Sequence, residues 1–146
     1  MRKFQKINAY ENEQLFENKL ANENKEVITV EPEDTLAITE KLDGSNASVE
    51  VLDGEVKSYS HKGELDADKR LNGFYGFVKD NAESLKHIGD NYIVFGEWLT
   101  KHRVQYKDEY YHTWYLFDVY DKVSHKYLGY HEAEKLYKDI LYGVDE

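Results

Sequence analysis

Residues 40–46 read Glu-Lys-Leu-Asp-Gly-Ser-Asn and run directly into Ala-Ser-Val-Glu-Val-Leu-Asp-Gly at 47–54. The apolar run at 36–42 and the alternating stretch at 47–52 predict strands. Asp53-Gly54, followed by a further strand at 56–60, is a two-residue hairpin signal. Lys41 is thus expected at the end of one strand, just before a hairpin, with Asp43 and Gly44 close behind it. A glycine at 44 lets backbone approach a bound group with no Cβ in the way.

Working outward, a strand at 27–30 is separated from the 36–42 run by a turn, Glu31-Pro32-Glu33-Asp34. Tyr10, Leu15, Phe16 and Leu20 are spaced as a short amphipathic helix within residues 8–24. Between residues 67 and 88, Leu71, Phe74, Phe77, Val78, Ala82, Leu85 and Ile88 trace one helical face. Gly73 and Gly76 interrupt it, each weakening a helix by about 1 kcal/mol relative to alanine. Residues 92–99 and 114–120 are strand-like, and 131–142 predicts a closing helix. The expected fold class is α+β, built on an antiparallel sheet, with residues 1–146 forming one domain.

A chain of 146 residues with 40% hydrophobic and 14% aromatic content can bury a real core despite its 33% charged residues. It has no cysteine, which excludes disulfides, thiolate metal sites and a cysteine nucleophile. No apolar run approaches the roughly 18 residues of a membrane span, and Met1-Arg2-Lys3 leads into no signal-type apolar core. The expected setting is soluble and cytoplasmic, with no membrane partner. A formal net charge of −10 has the wrong sign for holding nucleic acid by bulk electrostatics, so any such contact must be local. A nucleotide bound with its metal is not excluded.

Three further segments follow Lys41 in order: Ser58-Tyr59-Ser60-His61-Lys62-Gly63, Val94-Phe95-Gly96-Glu97-Trp98-Leu99 and Trp114-Tyr115-Leu116-Phe117-Asp118-Val119-Tyr120. With Glu40-Lys41-Leu42-Asp43-Gly44 they resemble motifs Ia, III, IIIa and I of the ATP-dependent polynucleotide ligases. The likeness is nearest to the RNA ligases of the phage type that seal nicks in duplex RNA. Gly-Phe-Tyr-Gly-Phe-Val-Lys-Asp-Asn at 73–81 is similar to that family's helix after motif Ia. The resemblance implies the nucleotidyltransferase fold, with ATP and Mg2+ as cofactors. Lys41 would attack the α-phosphate of ATP and carry AMP, and complete relatives would then join 5′-phosphate and 3′-hydroxyl RNA ends. It also implies a nucleotide site of Glu40, Lys41, Leu42, Asn46, His61, Glu97 and Phe117. In it Asn46 works near the phosphates, Glu97 accepts from ribose hydroxyls and Phe117 stacks on adenine; Glu97 is also the one candidate metal ligand. Asp43, Gly44, Lys62 and Asp118 match the family without an assigned role. Side-chain alternation puts Phe117 and Asp118 on opposite faces of an unbulged strand.

Each assignment has a plainer rival. Lys41 read alone is an ordinary solvated lysine, Phe117 an ordinary core aromatic, and Asn46 a turn or cap residue. His61 stands where the family pattern has arginine, a shorter and only partly charged substitute. Lys101, His102, Arg103 and Lys107 form a basic cluster that reads equally as a nucleic-acid contact or a solvated loop. The family's Glu-Gly and Lys-x-Lys motifs, IV and V, do not occur in residues 121–146. The expectation is therefore the front portion of an adenylation domain, with an exposed sheet edge open to self-association. A non-catalytic nucleotide- or partner-binding remnant is one alternative, and a DNA ligase or capping-type nucleotidyltransferase another.

Overall fold

The computed structural model describes residues 32–142. The chain divides into two compact units, Arg2–Thr39 and Glu40–Glu146, and of the first only residues 32–39 are described. The helix expected within 8–24 and the strand at 27–30 lie outside the described residues. In the larger unit, β1 (Ser45–Leu52), β2 (Glu55–Ser60), β3 (Gly63–Glu64), β4 (Tyr92–Trp98), β5 (Trp114–Asp121) and β6 (Lys126–Tyr127) form one antiparallel sheet. Its order is β3-β2-β1-β4-β5-β6. Helices α1 (Phe74–Asp80), α2 (Ala82–Leu85) and α3 (Tyr130–Tyr142) complete an α+β fold.

The β1–β2 hairpin follows from its turn residues. Asp53 and Gly54 both take positive φ, 50° and 77°, the geometry whose twist matches that of the flanking strands. Period-two alternation then sorts the strands into two faces. Ala47, Val49 and Val51 of β1, Val94 and Trp98 of β4, and Trp114 and Val119 of β5 turn toward the helices, where Phe74, Val78, Leu85, Ile88, Ala133 and Ile140 close the core. Phe74 sits 5.3 Å from the ring centre of Trp98 and 5.4 Å from that of Trp114. Both indole N–H groups are satisfied, Trp98 by the Asn72 carbonyl and Trp114 by the Ala47 carbonyl, each at 3.2 Å.

Two expectations are corrected. Residues 36–42 form no strand: Leu36 and Ile38 are exposed, Ile38 at 91%, and no described strand pairs with them. Apolar, β-branched composition favours a strand only where a ladder partner exists. The single helix expected over 67–88 is three pieces, α1, α2 and a 3₁₀ turn at Lys86–Ile88. Leu71, Asn72 and Gly73 have φ of 46°, 49° and 97°, so right-handed helix cannot begin before Phe74. Asn81, at φ −108°, separates α1 from α2, and its side-chain amide donates to the Phe77 carbonyl at 2.7 Å.

At the sheet centre, Gly96 is required by Trp114. A Cβ there would strike the Trp114 ring nitrogen and lie 2.7 Å from the Tyr115 carbonyl oxygen. Gly96→Ala should therefore destabilise the domain by about 1–3 kcal/mol, the range of core overpacking. Urea unfolding checks this; a midpoint within error of wild type contradicts it.

Candidate active site

The sheet face opposite the core carries Asn46, Glu97 and Asp118 among the residues singled out by the sequence. The register sets Asn46 opposite Glu97 and Glu97 opposite Tyr115, so the three form one row across β1, β4 and β5. A second row holds Tyr59, Ser48, Phe95 and Asp118, and a third Lys57, Glu50, Ile93 and Tyr120. Between the first two, the β4–β5 register shifts at Phe95 and Gly96. Gly96 faces Leu116 and Val94 faces Val119, which leaves Phe117 as the extra residue of a β-bulge. Since Leu116 and Val119 both pack on the core, Phe117 and Asp118 lie on the same, opposite face. The expectation that they point apart was for an unbulged strand, and the bulge removes that premise. Phe117 is 39% exposed and Asp118 half-buried.

Lys41 lies in an irregular segment four residues before β1, not at a strand end. Hydrogen bonds hold that segment instead of a ladder. The Gly44 N–H donates to Glu97 Oε1 at 3.0 Å. The Asp43 N–H donates to Tyr106 Oη at 3.0 Å, and the Val104 N–H donates to Asp43 Oδ2 at 2.8 Å. Gly44 has no room for a side chain, since a Cβ would stand 2.5 Å from the Trp98 carbonyl oxygen and 3.1 Å from Glu97 Cγ. Glu40 and Lys41 are exposed, whereas Leu42, Asp43, Gly44 and Asn46 are half-buried.

The electrostatics follow from these contacts. The Val104 N–H, helped by His102, the Arg103 N–H and Lys41, holds the Asp43 carboxyl below the usual carboxylate range. Half-burial pushes Glu97 up, opposed by the Gly44 N–H and by the positive charge of Lys41. Lys41 is thus in electrostatic reach of both carboxylates. Burial also raises Asp118, against the Val119 N–H that donates to it. In the third row, Glu50 accepts from Lys122 Nζ at 3.3 Å, and burial followed by contact with Glu50 raises the Tyr59 hydroxyl.

His61 and Lys62 are exposed at the β2–β3 turn, with the Lys62 N–H held by Ser60 Oγ at 3.2 Å. Lys62 lines a groove of about 650 Å³ with Leu65, Lys69 and Leu71, which includes none of Lys41, Glu97 and Phe117. The described residues contain no group of three or more acidic or histidine side chains able to hold a metal. A cation beside Glu97 would therefore need ligands from outside these residues. Sequence reading missed Tyr106 and the Val104 N–H. Nothing marks a lone tyrosine in a basic loop, and a backbone donor leaves no trace in residue type.

Glu97 gives a pH test. Its raised pKa means the folded state holds its proton more tightly than the unfolded one, so its contribution to stability is lost as pH rises through and above 4.5. Glu97→Gln keeps an oxygen for the Gly44 N–H and removes the charge. Its stability relative to wild type should grow between about pH 4 and pH 7. Paired thermal melts would read a flat or falling difference as a contradiction.

Comparisons with known proteins bear on the whole arrangement. Comparison with curated protein sequences finds no match. Solved structures of Naegleria gruberi RNA ligase share the fold: a variant with AMP and Mn (26% identity, TM-score 0.56), a variant with ATP and Mn (26%, 0.53) and the enzyme with PPi (27%, 0.53). Each likeness covers 68% of this chain and 30% of the other, so the chain spans about 30% of the length of these relatives. The six-stranded antiparallel sheet with its three helices matches part of that nucleotidyltransferase-like fold. The RNA ligase profile matches residues 34–145, most of the sequence, and the chain belongs to the RNA ligase family.

Proposed function

We propose that this chain is an adenylating domain of an ATP-dependent RNA ligase in which Lys41 takes AMP. The observation that carries the reading is the seating of the Lys41 segment. Gly44 packs against the β4 backbone, its N–H bonds to Glu97, and Lys41 is left exposed within electrostatic reach of that carboxylate.

In this reading the adenosine of ATP lies at the accessible end of the sheet face opposite the core, along the row of Asn46, Glu97 and Tyr115 and at Phe117. The exposed ring of Phe117, carried outward by the bulge, offers a flat apolar surface to the base. Glu97 accepts from a ribose hydroxyl, and Asn46, directly opposite on β1, donates to a phosphate oxygen. The unprotonated Lys41 amine attacks the α-phosphorus. A nitrogen–phosphorus bond forms, the bond to the bridging oxygen breaks, pyrophosphate leaves with that electron pair, and the amine proton goes to solvent. A divalent ion arriving with the triphosphate supplies charge neutralisation. The AMP then activates a 5′-phosphate for joining to a 3′-hydroxyl, with nicked duplex RNA as the substrate class.

A second reading is a nucleotide-binding domain without transfer activity. It is favoured by His61, exposed where the family pattern has arginine. ATP binding by calorimetry without covalent label would select it.

Incubation with α-labelled ATP and Mg2+ should give an acid-labile label that falls to background in Lys41→Ala; label persisting in that variant rejects Lys41 as the nucleophile. Phe117→Ala should raise the ATP concentration for half-maximal labelling by about tenfold, the scale of one base–aromatic stack. An unchanged ATP dependence removes Phe117 from the site.

A further inference from the structure

We infer that the loop spanning residues 101–107 is a docking surface for the phosphate backbone of duplex RNA, held in register with Lys41 by Asp43. This rests on the RNA ligase reading and adds to it the surface that receives the polynucleotide.

The chain has 29 acidic against 19 basic residues, so a stretch whose charged residues are all basic departs from its average. Residues 101–107 contain Lys101, His102, Arg103 and Lys107 with no acid among them, and these four are exposed. The acids resume at Asp108 and Glu109. The loop is held at its base and in the middle. Its base is closed by the Leu99 N–H to the Thr113 carbonyl at 3.1 Å and the His112 N–H to the Leu99 carbonyl at 2.8 Å. At its centre, Asp43 accepts from the Val104 N–H and donates its own N–H to Tyr106 Oη. The Tyr106 N–H in turn bonds to Tyr111 Oη at 2.9 Å, and the Lys101 ammonium sits 5.9 Å from the Tyr111 ring centre. Tyr110, 44% exposed just beyond Lys107, adds a flat face for a base or sugar.

Anchoring matters because phosphate contacts set the register of a nucleic acid on its protein. Asp43 lies two residues after Lys41, so a strand held on this loop is fixed relative to the amine that carries AMP. A mobile cationic tail would raise affinity without fixing that offset. An acidic protein segment could also meet the charges, but it would have no need of a fixed offset from the nucleophile.

The test compares the full chain with the triple variant Lys101→Ala, Arg103→Ala, Lys107→Ala. Fluorescence anisotropy reads binding of a nicked, 5′-phosphorylated RNA duplex, and label from ATP without RNA is measured in parallel. The triple variant should bind RNA about tenfold or more weakly at low salt, and its log–log salt slope should shrink by about 2–3. Its melting temperature and its labelling should equal those of wild type. Equal RNA affinity and slope in the two proteins, or no RNA binding by wild type at low salt, would overturn the inference. Tighter binding of a poly-glutamate peptide than of RNA, lost in the same variant, would also overturn it, in favour of a protein partner. Absence of label from both proteins with loop-dependent RNA binding intact would remove the adenylation reading and leave the surface standing.

Discussion

The contact on which the site depends is between a glycine and a strand. Gly44 lies so close to β4 that a methyl group would collide with the Trp98 carbonyl oxygen. That proximity lets its N–H reach Glu97. The segment bearing Lys41 has no ladder of its own, so this hydrogen bond and the two through Asp43 are what fix its course. Under the proposed function, local order without secondary structure is a suitable support for an amine that must be both accessible and positioned.

The electrostatic setting is unusual for a protein of net charge −10. Glu97 and Asp118 are half-buried and both are pushed up by desolvation. The opposing positive charge is concentrated at Lys41 and in the adjoining loop, where His102 and the Arg103 and Val104 amides converge on Asp43. Under the proposed function, the acid on the sheet is the nucleoside side and the base on the loop the phosphate side. The arrangement suits a substrate with a hydrogen-bonding sugar at one end and a polyanion at the other.

Much of this was legible in the residues, for identifiable reasons. Asp53-Gly54 names its hairpin because few other pairs tolerate two positive φ values in succession. The alternating stretch at 47–52 marked β1 as a strand. The bulge was hidden by a rule that assumes regular pairing, although the three-residue spacing of Leu116 and Val119, both packed on the core, was a signal. Residues 36–42 misled because composition reports propensity and not the presence of a partner strand. The helix over 67–88 misled because Leu71 and Asn72 take left-handed conformations that their identities do not advertise. The closeness of Lys41 and Glu97 came from motif resemblance; the Asp43 latch, made with backbone donors and one tyrosine, could come only from coordinates.

The most direct measurement is peptide mapping by mass spectrometry of the intact chain after incubation with ATP and a divalent metal, at neutral pH to preserve a phosphoramidate. The account predicts a single adduct with the mass of an AMP residue on Lys41. No adduct, or one on Lys62 or Lys101 instead, would contradict it.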